Sequence, residues 1–159
     1  MSATPHAERV RAQKRAAAAA AGIDDIVIGA LVDRFYARVR DDGMLGPIFA
    51  QHVADWSHHL PRMKDFWASI MIESGRYNGR PMQTHIALGI LDETHFARWL
   101  SLWDDAVVQT VPDMVVADRF RAAAQRIANS LLTGVLVQRG GLDAVRNRTP
   151  QPTQSEANP

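Results

Sequence analysis

Apolar residues in this chain recur every three or four positions. Val27, Leu31, Phe35 and Val39 form one stripe, and Met63, Phe66, Trp67 and Ile70 form a second. Phe96, Trp99, Leu100, Trp103 and Val107 make a third that ends before Pro112, and Phe120, Ala124, Ile127, Leu131 and Val135 make a fourth before Gly140. A period near 3.6 puts each set on one face of a helix, where it must be buried against a neighbour. Alternating segments bounded by hairpin signals, which strands would need, are absent. The pattern therefore predicts an all-α domain of four or five helices with an irregular stretch over residues 73–91. The first helix is expected to stop before Gly43 and the Gly46-Pro47 pair. At 159 residues and 47% hydrophobic content the chain suits one core rather than two.

The ends read differently. Residues 1–22 contain the run Ala16 to Ala21 closed by Gly22, which predicts a short lead helix or a flexible extension. Arg9, Arg11, Lys14 and Arg15 face a single acid there, Glu8, a composition also compatible with an organelle transit peptide. Residues 141–159 are polar and rich in Pro, and predict a disordered tail. The working domain is then 23–140. A net charge of +1 gives no case for nucleic acid as a partner. No apolar run approaches the roughly 18–20 residues that span a bilayer, and the N-terminus lacks the apolar centre of a secretory signal, so a cytoplasmic protein is expected.

There is no cysteine, which excludes disulfides, thiolate metal sites and iron–sulfur clusters. Metal chemistry would have to run through six histidines or the carboxylates. His59 shares a helical face with Met63, Phe66, Trp67 and Ile70, so it is either a satisfied core histidine or a group in a pocket. The adjacent His58 diverges by about 100°. No two histidines are spaced i, i+4, so zinc has little support. His85 follows the loop Tyr77-Asn78-Gly79-Arg80-Pro81 and, viewed alone, is an exposed loop histidine. His6, His52, His58 and His95 read as surface or structural. Tyr36 adjoins Phe35, which makes it an ordinary core tyrosine or a donor into a pocket. Trp99 and Trp103, four apart, read as core.

The order of these pieces carries more than any one of them. Phe35-Tyr36, Leu45-Gly46-Pro47-Ile48-Phe49, Trp56 with His59, Phe66-Trp67, Tyr77-Asn78-Gly79 with Pro81, His85, and Trp99-Leu100 follow one another in a way that resembles the third group of truncated haemoglobins. The resemblance implies a helical two-over-two sandwich around haem b. It makes His85 the proximal iron ligand and Tyr36, His59 and Trp99 the ligand pocket, with Phe49 against the porphyrin face. Arg62 becomes a partner for a haem carboxylate, and Met63, Phe66, Trp67 and Trp103 become apolar walls.

The function implied is binding of dioxygen, NO, CO or similar ligands by a monomer or weak dimer. It extends to NO detoxification or peroxidase-like turnover served by an external reductase. The rival reading is a haem-free helical interaction or sensor module. Pro61 departs from the pattern, because proline belongs in a helix's first turn. It predicts that the helix carrying His59 starts near His58 or His59, leaving Trp56 outside. His59 would then sit on a frayed end as a gate, the alternatives being a sixth iron ligand or a solvent-facing ring.

Overall fold

A computed structural model describes residues 4–81, 84–85 and 91–140. Among them there are six helices and no strand: α1 (Pro5–Ala20), α2 (Asp25–Asp41), α3 (Leu45–His52), α4 (Trp56–Ile72), α5 (Glu93–Thr110) and α6 (Met114–Gly140). The four stripes lie on α2, α4, α5 and α6. The tail expected over 141–159 lies outside the described residues.

Helix starts are set by short acids. The side chains of Asp24, Asp55 and Asp92 each accept a backbone N–H from the first turn that follows, satisfying donors the helix cannot. Thr4 does the same for α1, with Pro5 at the first helical position. Asp92 and His95 form a reciprocal cap. α3 was not anticipated, because Gly46-Pro47 reads as a stop. Both residues fall instead in its first turn, where a missing N–H costs nothing. Gly46 is needed there, since a Cβ would lie 2.8 Å from the carbonyl oxygen of Arg40.

α2 and α4 pack as one pair and α5 and α6 as another; α2 lies against α5 and α4 against α6. This is the two-over-two arrangement. The centre holds Leu31, Val32, Phe35, Trp67, Trp103, Val107 and Phe120, each almost wholly buried. Ile70 ends its stripe on the surface, at 42% exposure. α1 lies on α4 through Ala18, with Arg11 and Lys14 on either side of Glu73. α3 rests on α2 and α5, held by Asp42. That carboxylate accepts from the N–H groups of Met44 and Leu45 and from Arg98 on α5.

Candidate functional site

α4 begins at Trp56, earlier than Pro61 suggested. Asp55 caps it, and His59 N–H donates to the Asp55 carbonyl at 3.0 Å. Pro61 sits inside the helix, and the capped first turn holds the N-terminal side in place despite the missing donor. His59 is therefore on an ordered turn rather than a frayed end. Its ring meets Tyr36 (5.4 Å between centroids) and Trp56 (5.4 Å) edge-on, with Phe49 at 6.5 Å. Nε2 is buried and has no hydrogen-bond partner, so this nitrogen does not face solvent.

The rings of Tyr36, Phe49 and His59 border a cavity of about 350 Å³ lined by α2, α3, α4, α5, α6 and the residues after α4. Nine of the ten cofactor-site residues anticipated from the sequence line it: Tyr36, Phe49, His59, Arg62, Met63, Phe66, Trp67, His85 and Trp99. Trp103 does not. It lies behind Trp67 and Trp99 in the core, because the α5 turn that points Trp99 at the cavity sends Trp103 towards Phe120.

Sequence reasoning missed Ile48, Tyr77, Phe96, Ile127 and Leu131, which are also part of the wall. Phe96 and Leu131 are stripe residues whose periodicity marks burial without saying against what. His52 and His95, read as surface or structural, also border the cavity; His95 keeps its structural role as the cap of α5. Tyr77 packs edge-on against Phe66 at 5.1 Å, and its N–H donates to Ser69 Oγ at 3.3 Å. A Cβ at position 79 would lie 1.9 Å from the Tyr77 hydroxyl, so the glycine makes room for this ring.

His85 enters from a short helical turn with Pro81 and Thr84. Its Nδ1 lies 2.6 Å from the Pro81 carbonyl oxygen. A carbonyl only accepts, so Nδ1 carries the proton and Nε2 keeps a free lone pair. Burial pushes the pKa of this imidazole down, opposed by the Pro81 hydrogen bond. The His59 pKa is also lowered by burial, then by Arg62 and His58. Burial raises that of Tyr36, with Tyr77 adding to it. The cavity therefore holds two neutral imidazoles and a protonated phenol in apolar walls.

An all-helical two-over-two fold enclosing a cavity of this chemistry belongs to the globin class. A family model described as bacterial-like globin matches residues 20–132, and the chain belongs to that family. The group 3 truncated hemoglobin ctb of Campylobacter jejuni is 33% identical over 84 residues, which is 50% of this chain and 66%, just under two thirds, of that relative. The crystal structure of group III truncated hemoglobin from Campylobacter jejuni superposes with a TM-score of 0.67 at 29% identity, covering 71% of this chain and 91% of that one. The resemblance to third-group truncated haemoglobins holds. Family membership implies a haem cofactor and haem-based binding of gas ligands in general.

Proposed function

We propose that the cavity takes haem b, which His85 would hold through its iron, with Tyr36, His59 and Trp99 lining the pocket for the gas. The single observation that carries this reading is the anchored ring of His85. A metal-ligating imidazole must be neutral and is usually oriented by a hydrogen bond from its other nitrogen, and His85 meets both conditions. Phe49, Met63, Phe66 and Trp67 offer apolar surface to a flat macrocycle. Arg62 is exposed at the rim, where it suits a carboxylate edge and contributes about 0–1 kcal/mol.

Bound haem supplies an iron centre with an open position for a diatomic gas. The remaining work falls to side chains of this chain. Tyr36 keeps its proton because burial opposes ionisation, so its hydroxyl is a donor. Neutral His59 carries an orphaned buried nitrogen that a polar ligand satisfies. The indole of Trp99 can only donate. Hydrogen bonds of this kind to a charged acceptor contribute about 1.5–3 kcal/mol each. Such a pocket retains its ligand, which suits dioxygen binding coupled to NO detoxification or peroxidase-like turnover better than rapid carriage.

On this reading His59 meets the gas from an ordered turn, a reductase supplies electrons, and the protein works in the cytoplasm as a monomer or weak dimer. Stopped-flow measurement of dioxygen release tests the pocket. Tyr36→Phe is expected to release the gas about ten- to a hundredfold faster. An unchanged rate removes Tyr36 from the site. A low-spin ferric spectrum with two imidazole ligands would contradict His59 as a residue that leaves the gas position free.

A further inference from the structure

Three indoles stack beside the cavity, and enclosing a cofactor does not require the innermost. Trp103 lies 4.1 Å from Trp67 with ring planes 14° apart, and 6.0 Å from Trp99 with planes 6° apart. Trp67 and Trp99 are 6.5 Å apart at 15°. Aromatic pairs usually sit with centroids about 4.5–7 Å apart, because the negative faces of neutral rings repel. The Trp67–Trp103 pair is closer than that. Removing one electron from such a pair reverses the sign of the interaction, because a cationic ring is attracted to the face of its neighbour. Close parallel stacking therefore makes these indoles easier to oxidise than isolated ones. The line continues outward: Trp67 meets Phe66 at 5.7 Å, and Phe66 meets the partly exposed Tyr77 at 5.1 Å.

We propose that the stack of Trp67, Trp99 and Trp103 is an electron store for reduction of a hydroperoxide in the cavity, refilled through Tyr77 by a phenolic donor at the surface. This rests on the haem reading of the site. The O–O bond of ROOH breaks and takes up two electrons and two protons, giving ROH and H2O. The stack gives up the electrons one at a time, each leaving an indole radical cation. Two phenols ArOH then return one electron each and release one proton each, becoming ArO•. The sum is ROOH + 2 ArOH → ROH + H2O + 2 ArO•. Trp103 borders no ligand and sits on Phe120, whose carbonyl accepts its N–H at 3.3 Å, so its part is to share the charge.

The test is freeze-quench electron paramagnetic resonance of haem-loaded protein mixed with hydrogen peroxide, loading being verified first by the Soret band. The expected result is an organic radical whose signal narrows when the chain carries ring-deuterated tryptophan. In Trp103→Phe, with its Soret band unchanged, the radical is expected to decay faster. Wild-type protein that takes up haem but gives no tryptophan radical would overturn the proposal, even if the variant fails to fold. An equal radical lifetime in Trp103→Phe would do the same. Failure to take up haem would sink the cavity reading first, and the store with it.

Discussion

His59 and His85 are both partly buried imidazoles of lowered pKa, yet only one has its hydrogen bonding settled within the chain. The orphaned Nε2 of His59 costs the haem-free fold about 1–3 kcal/mol, so His59→Leu should stabilise it by roughly that amount in urea unfolding. The same site sets a pH dependence. Unfolded chain takes up a proton near pH 6.5 that the folded chain accepts only at lower pH. His59 therefore adds no pH-dependent penalty above about pH 6.5, and stability falls as pH drops from there towards the folded-state value; His59→Leu should flatten that part of the profile. Spacing alone left both histidines undecided. His85 was legible only through the order of surrounding motifs, and nothing in the sequence shows that Pro81 fixes its tautomer. Trp103 shows the converse limit: a helical stripe marks burial but does not say whether a ring meets a cavity or the core behind it.

Helix identity was the most legible level. The stripes on α2, α4, α5 and α6 follow directly from periodicity, whereas α3 and the start of α4 were obscured by Pro47 and Pro61. Carboxylates just ahead of each helix account for both: Asp42 accepts from the N–H groups of Met44 and Leu45, and Asp55 caps α4 through Ser57 N–H. Asp42 also joins α3 to α5 through Arg98, a tertiary contact with no local sequence signal. Arg98 holds its carboxyl below the usual carboxylate range. Asp42→Ala removes two backbone hydrogen bonds and the bridge, and should cost about 1–3 kcal/mol by chemical denaturation. Because α3 carries Ile48 and Phe49, the same change should weaken haem retention, measured as faster transfer to a competing haem acceptor. Unaltered transfer would show that α3 holds its place without this clamp.

At the scale of the molecule, the sequence and the fold agree on an all-helical truncated-globin architecture. What periodicity could not supply was how the described helices divide their apolar faces between the core and a cofactor. Haem that binds only the folded chain stabilises it by mass action, about 2.7 kcal/mol at a hundredfold excess over Kd. For a chain of this size that corresponds to a rise in melting temperature of about 5–10 °C, readable by scanning calorimetry. The most direct measurement is the visible absorption of the protein during titration with haemin, beside His85→Gly with and without added imidazole. The account predicts a Soret band that saturates at one haem per chain, is altered in His85→Gly, and is restored by free imidazole. A wild-type protein that stays colourless, as a haem-free interaction module would, or a His85→Gly spectrum identical to wild type, would contradict it.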